Sequence, residues 1–420
     1  MKKNIFLAAI CAVFLCSCEK NDMRQTEDSR SGNGVKTPKQ LNFSSTDEQL
    51  LYRTNEFSFN FLAYVSDNEE DRQNIILSPL SAGMMLGLLM NGATDETLAE
   101  MQTTLGFEGL SQDDINAYYQ QLIETLPALD TVTRVSIANS IWVDNAFPVK
   151  QKFIDINNQY LHATSRNVDM KDNNTADIIN KWAADNTNNL IKQVVSPGDI
   201  YSCVLILANA LYFKGIWNDE FKKNDTRDQV FTTLRGEQKN VPMMHRSDNY
   251  RYGESKFGQI LELPYKGGRY CMDIILPSKE TEVEDVAEEL SVEEWSNILN
   301  DTYYPEVNVA LPKFKLSYSR NITNDLQTLG IRRAMQTSAQ FSLISDINTY
   351  LSWVKQFCYL SVDETGTEAA AVTIGGLEAT SAGPQRPKDF IADRPFIIII
   401  RENTYGTILF TAIIGDPTEE

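Results

Sequence analysis

The chain has 420 residues, 42% hydrophobic and 23% charged, which is enough apolar material for a large core and too much for a disordered chain. Lys and Arg number 38 against 57 Asp and Glu, a formal net charge of −19. That balance excludes a nucleic-acid binder with a basic face and a polybasic membrane-surface protein. At roughly 150 residues per domain the length suits two or three domains, or one unusually large one.

Lys2 and Lys3 precede an apolar run, residues 5–15, long enough for a signal peptide and too short to span a bilayer. Leu15-Cys16-Ser17-Cys18 then resembles a bacterial lipobox, in which the last Cys is lipidated and becomes the first residue. Cys16 is a less usual residue in the middle of such a box; ordinary signal cleavage nearby and a retained anchor helix are the alternatives. On the lipobox reading residues 1–17 are a lipoprotein signal peptide and 18–45 a flexible tether after lipidated Cys18, because 19–45 holds only four apolar residues (Met23, Val35, Leu41, Phe43). The protein is then an exported outer-membrane or cell-surface lipoprotein that meets the membrane only through its lipid. Three cysteines lie beyond the tether, Cys203, Cys271 and Cys358. Their odd number and wide spacing argue against a disulfide framework, and each sits in an apolar run as a small core residue would.

Helical signals crowd the first part of the body. Ser45-Thr46-Asp47-Glu48 fits a capping box ahead of Leu50, Leu51, Phe57 and Phe61 on one face. Ser78-Pro79-Leu80-Ser81 opens a helix over 82–91, and Thr94-Asp95-Glu96-Thr97 caps a third with Leu98, Met101 and Leu105 facing inward. Residues 174–190 form another. Strand signals dominate later. Residues 203–213 are apolar enough for a strand buried on both faces. Shorter runs at 269–276, 307–311 and 357–362 follow, and 396–401 with 407–414 read as a hairpin. The acidic stretch 280–294 reads as the solvated face of a helix. Helices first and strands later make an α+β fold, with no internal repeat and no clean linker between 46 and 417.

An active site does not emerge. His162 and His245 are the only histidines, and neither lies in a zinc-binding spacing. Residues 253–258 miss the GxSxG elbow by one position, and neither a Walker A loop nor GxGxxG occurs. No cofactor and no metal is expected. The segment that departs from every core pattern is 363–389, between two strands, and structureless loops of that length tend to be functional or disordered. At period two, Thr367, Ala369, Ala371, Thr373, Gly375, Leu377 and Ala379 share one uncharged face, while Glu368 and Glu378 fall on the other. No Pro interrupts 365–383. The segment is placed as a loop but able to become a central strand; a Gly/Ala-rich surface linker is the plainer alternative.

Here the chain resembles the serpin family. Glu364-Thr365-Gly366-Thr367-Glu368-Ala369-Ala370-Ala371-Val372-Thr373 is similar to the hinge of inhibitory serpins, and residues 390–397 (FIADRPFI) resemble the signature after their reactive loop. Residues 74–81 (NIILSPLS), 207–217 (LANALYFKGIW) and 311–314 (LPKF) fit as well, as do Asn180-Lys181-Trp182 and Thr187-Asn188, all in family order. The resemblance implies a single domain over 46–420, with three β-sheets, eight or nine helices and an exposed reactive loop. It implies an inhibitor rather than an enzyme: a target protease cuts the loop, and the acylated loop inserts as a strand before the ester hydrolyses. Partners would be serine proteases or papain-like cysteine proteases, met by a monomer. A non-inhibitory serpin acting as a binding or carrier protein is the alternative.

Residue roles carry over by position. Glu364, Gly366, Thr367, Glu368, Ala369, Ala370, Ala371, Val372 and Thr373 form the hinge, where small residues let the sheet open. Ser78, Pro79, Ser81 and Asn209 match the shutter between the central strands. Gln356 stands where the family often has His, and Trp217 matches the Trp where insertion begins. The attacked carbonyl falls at Thr380, so the reactive bond is Thr380–Ser381, with Ala379 the next choice. Thr and Ala suit elastase-like or subtilisin-like proteases, and the absence of Lys and Arg between 365 and 385 argues against trypsin-like ones.

The period-two register makes a prediction. Ala371→Glu should convert an inhibitor into a substrate, because its carboxylate must be desolvated during insertion at a cost of several kcal/mol. Ala370→Glu, on the opposite face, is the control. Counting inhibitor molecules consumed per elastase-like protease inactivated separates them; if Ala370→Glu is the more damaging, the register is wrong.

Overall fold

The computed structural model describes residues 8–18, 38–70, 72–366 and 386–419. Three sheets organise them. The main sheet has six strands: β1 (Ala8–Cys18), β2 (Arg134–Asp144), β3 (Ala163–Val168), β4 (Cys203–Lys214), β5 (Phe314–Asn321) and β6 (Thr349–Val362). Their spatial order is β5-β6-β1-β4-β2-β3. The second sheet runs Asn74–Leu77, Ile408–Ile414, Phe396–Glu402, Tyr270–Pro277, Gly258–Pro264, Arg251–Ser255, and the third Lys388–Ile391, Glu306–Pro312, Gln238–Asn249, Arg227–Thr232.

Between the first two sheets lies the main core. Helices α1 (Ser45–Asp67) and α2 (Pro79–Met90) feed it Phe59, Phe61, Leu62, Met84, Met85 and Leu88, all fully buried. Every residue of α2 is buried, as the mixed apolar and small sequence of that helix requires. A second cluster covers the other face of the main sheet, where Ile179 and Ala183 of α3 (Asn174–Asn186) pack on Trp142, Ile206 and Ala208. β4 is therefore buried on both faces, which accounts for its apolar run, broken only by Asn209, whereas β6 alternates buried with half-buried residues along most of its length.

The strand expectations at 203–213, 269–276 and 307–311 and the hairpin after 396 are found within a residue or two. The hairpin pairs Phe396–Glu402 antiparallel with Ile408–Ile414. Several expectations are corrected. The capping box belongs to Ser44 and Asp47, one residue earlier than read. Thr94 gives its helix no side-chain cap; its hydroxyl faces Ser342 and the Gln340 carbonyl instead. Residues 280–294 do not form one helix, because Leu290 is extended and Ser291 starts a second one: Val283–Glu289 and Val292–Asn300 are separate. The strand read at 357–362 begins at Thr349, and α3 ends at Asn186 rather than 190. The described residues hold ten α-helices, including the four-residue turn Pro197–Ile200, rather than eight or nine.

Two findings concern the N-terminal region. The end of the tether is docked: Leu41 is buried, the Lys39 N–H donates to the Ala128 carbonyl at 2.8 Å, and Phe43 packs on Tyr405 with ring centroids 4.5 Å apart. The apolar run expected as a leader supplies β1, in the middle of the main sheet. Cys203 is accordingly not a free thiol; it is disulfide-bonded to Cys11 of β1, while Cys271 and Cys358 are free and buried.

Candidate functional site

Strands β4 and β6 run parallel, and among the described residues neither pairs with the other. Each pairs with β1, which is parallel to both. The outer partners are antiparallel, β5 on β6 and β2 on β4. The sheet thus has one strand position in its middle, lined by β6 of 14 residues and β4 of 12. At about 3.3 Å per residue the longer edge spans roughly 45 Å.

The segment that follows β6 turns immediately. Asp363 and Gly366 form a bridge, with the Gly366 N–H donating to the Asp363 carbonyl at 3.1 Å. Asp363 Oδ1 accepts from the Thr365 N–H at 2.9 Å and from its hydroxyl at 2.8 Å. Gly366 has φ +79°, and a Cβ there would fall 2.3 Å from the Trp217 nitrogen. Only glycine meets both demands. Trp217 holds the turn from the side: its indole N–H donates to the Asp363 carbonyl at 2.9 Å, its backbone N–H to the Thr365 carbonyl at 3.2 Å, and its ring stacks on Tyr265 at 4.8 Å.

Glu364 is buried in this turn. One carboxylate oxygen accepts from Lys313 Nζ at 2.9 Å and the other from the Thr226 hydroxyl at 3.0 Å, while the Phe221 N–H donates to its carbonyl at 2.8 Å. Burial alone would raise its pKa. The Lys313 ammonium, a backbone N–H and the Thr226 hydroxyl outweigh burial and hold the carboxyl below its ordinary 4.5.

Midway along the strand position lies a buried polar network. Ser78 caps α2, accepting from the Ser81 N–H at 3.3 Å and donating its own hydroxyl to the Leu409 carbonyl at 2.8 Å. Pro79 occupies the first helical turn, where a missing N–H costs nothing. The Ser81 hydroxyl donates to Asn209 Oδ1 of β4. Asn209 Nδ2 donates to Asn139 Oδ1 of β2 at 2.8 Å, and Asn139 Nδ2 to the Leu161 carbonyl at 2.7 Å. From the other side Gln356 Nε2 of β6 donates to the Ser78 carbonyl at 3.1 Å, and Gln356 Oε1 is buried without a partner among the described residues. In register, Gln356 and Asn209 both lie opposite Phe14 of β1. The network joins the two edges of the strand position through the N-terminus of α2.

The structure therefore brings Ser78, Pro79, Ser81, Asn209 and Gln356 together at mid-sheet, and Trp217, Glu364 and Gly366 together at one end. Thr367, Glu368, Ala369, Ala370, Ala371, Val372, Thr373 and the Thr380–Ser381 bond lie outside the described residues. Cys18 is the last residue of β1. Sequence reasoning missed Asn139, Lys313 and Tyr265. Lys313 stood in a quoted motif without a role, and Asn139 gives no signal of its own inside a strand.

The buried Glu262, Cys271 and Asp273 converge elsewhere. Arg401 Nη2 donates to Glu262 at 2.7 Å and Nε to Asp273 at 2.6 Å, and Arg251 adds a bond to Glu262 at 3.1 Å. Two guanidinium groups already occupy the position a cation would take, and burial pushes the Cys271 thiol well up, away from the metal-binding thiolate. Of the histidines, His162 pairs with Glu124 at 3.1 Å on the surface.

A family model described as Serpin (serine protease inhibitor) matches residues 52–417. Neuroserpin of Homo sapiens is 33% identical over 359 residues, 82% of this chain and 86% of its own length. The native structure of tengpin, a thermophilic serpin, superposes with a TM-score of 0.78 at 30% identity, over 90% of this chain and 96% of that one. Human thyroxine-binding globulin, solved with its ligand, shares the fold with a TM-score of 0.79 at 24% identity, over 89% of this chain and all of that one.

The pair between buried Glu364 and Lys313 makes a prediction. A carboxyl with a lowered folded pKa stabilises fully above its ordinary value and loses that contribution as pH falls through the folded value. Lys313→Met should cost about 1 kcal/mol at pH 7, at the low end for such a pair because the lysine is one-third exposed. The difference from the parent should shrink as the pH falls below the ordinary 4.5 of Glu364, and a difference in unfolding midpoint that holds constant with pH contradicts it.

Proposed function

Because the chain belongs to the serpin family, we propose that it inhibits serine-type endopeptidases as a suicide substrate, through insertion of its reactive loop between β4 and β6. The strand position between two parallel strands is the observation that carries this reading. The loop leaves the end of β6 through the tight 363–366 turn, so a strand entering beside β6 must run antiparallel to it, and therefore antiparallel to β4. Its other end joins the third sheet through Lys388–Ile391. Cutting the loop frees the first part from the second.

About 15 residues at roughly 3.3 Å each give a displacement near 50 Å, comparable to the length of the slot. On the order of 15 new backbone hydrogen bonds at ~1 kcal/mol net each give roughly 10–20 kcal/mol, as much as a whole folding free energy of about 5–15 kcal/mol. Release of that energy while the protease is still acylated is what distorts the protease. The hinge residues favour this over a carrier role, since Ala369, Ala370 and Ala371 set neither bulk nor charge against insertion.

The reactive bond is Thr380–Ser381, or one residue earlier, and the targets are elastase-like or subtilisin-like serine proteases, with papain-like cysteine proteases as secondary ones. The inhibitor works as a monomer. It is exported and lipidated at Cys18, on the strength of Leu15-Cys16-Ser17 ahead of it; intact mass of membrane-extracted protein tests this, and an unmodified soluble form that starts elsewhere contradicts it.

The processed chain should form an SDS-stable complex with an elastase-like protease, and mass spectrometry should place the ester on Thr380 or Ala379. Cleavage there with full recovery of free protease, across a panel of serine proteases, would instead support the carrier alternative.

A further inference from the structure

The strand position is filled in this structure by the leader. Residues Ala8–Cys18 pair with β6, and from Ala9 onward with β4 as well. Ala12 is fully buried on the main core, and Cys11 and Val13 are fully buried in the cluster beneath α3. Neither a charge nor a Pro occurs in AAICAVFLCSC, so the segment satisfies both edges without burying an ion or lacking an N–H.

Each facing edge of β4 and β6 has one set of N–H and C=O groups. While β1 holds them, a cut loop has nothing to pair with. The two occupants differ in direction: β1 is parallel to its neighbours, and the tethered loop would be antiparallel. They nonetheless use the same groups and exclude one another.

We infer that the uncleaved leader is an intramolecular plug: the slot between β4 and β6 binds residues 8–18 of the same chain, and inhibition is switched on by removal of the leader. This rests on the insertion mechanism proposed above. Removal is hydrolysis of the Ser17–Cys18 amide by a signal peptidase while the leader is outside the sheet, because within it both residues are paired on each side; water adds across the bond, leaving a carboxylate on Ser17 and an amine on Cys18. Strand β1 ends at Cys18, so the cut that creates the lipidated N-terminus removes all of the strand but its last residue. A chain folded before export then meets proteases only as a substrate. A Cys11–Cys203 bond would hold a cut leader on the sheet, so activation belongs to the chain in which both are still thiols.

The test compares the full chain with a chain beginning at Cys18, both in thiol reductant, against one elastase-like protease. Hydrogen exchange of the β4 and β6 amides is followed in parallel. The full chain should be cut without forming an SDS-stable complex, and its β4 and β6 amides should be protected. The shorter chain should trap the protease, and those amides should exchange faster. Ala12→Asp in the full chain, which puts a carboxylate into the core, should expel the strand and restore trapping. Equal trapping by the full and shortened chains overturns the plug and leaves the inhibitor reading intact. If neither chain traps, the insertion mechanism fails, and exchange still decides the plug: protection confined to the full chain supports it, equal protection overturns it.

Discussion

Strands β4 and β6 each present a row of buried backbone donors and acceptors to a single position between them, and such groups cannot be left unpaired without a large cost. The rest of the structure is arranged around that requirement. The main core covers Ala12 on one face of the position, and the cluster beneath α3 covers Cys11 and Val13 on the other. The Ser78–Ser81–Asn209–Asn139 network ties its edges together at mid-length, and the Trp217–Asp363–Glu364 anchor holds one end. In this structure β1 fills that position, and on the proposed mechanism the strand that occupies it decides whether the loop can insert.

Two segments of the chain qualify by composition. Residues 8–18 carry no charge and are apolar but for Ser17, and 367–379 carry small or uncharged residues on alternate positions. Both lack Pro. They differ in attachment: the first precedes the body and can enter parallel, while the second is fixed to the end of β6 and can enter only antiparallel. Antiparallel ladders are slightly more stable per residue, so the loop is the better final occupant once it is cut and the position is free. On the proposed mechanism, kinetic access, controlled by the hinge and by whatever already fills the slot, then governs the outcome.

Much of this was legible in the sequence. The apolar strand at β4 and the closing hairpin follow from periodicity, and resemblance to the family singled out Ser78, Ser81 and Asn209, which the fold brings together at mid-sheet. Strand β2 was not, and its sequence explains why. RVSIANSIWVD is broken by Ser136, Asn139 and Ser140, which blurs the alternation a strand shows, yet Asn139 is there because the network needs a polar partner for Asn209. The ion pair of Glu364 was hidden for a different reason: its partners Lys313 and Thr226 lie far away in sequence and meet it only through the fold. Strand β1 was assigned by its position in the chain to a leader. A short apolar run suits a leader and a buried strand equally, and its pairing with β4 and β6 emerges only in the fold.

The most direct measurement of the central claim is the thermal midpoint of the chain beginning at Cys18, before and after a single cut near Thr380. A sheet that gains a full strand should melt far higher after the cut, because the inserted strand adds its own backbone hydrogen bonds to both edges of the position. An unchanged midpoint would mean that the freed loop stays outside the sheet, and the account of how this protein stops a protease would be wrong.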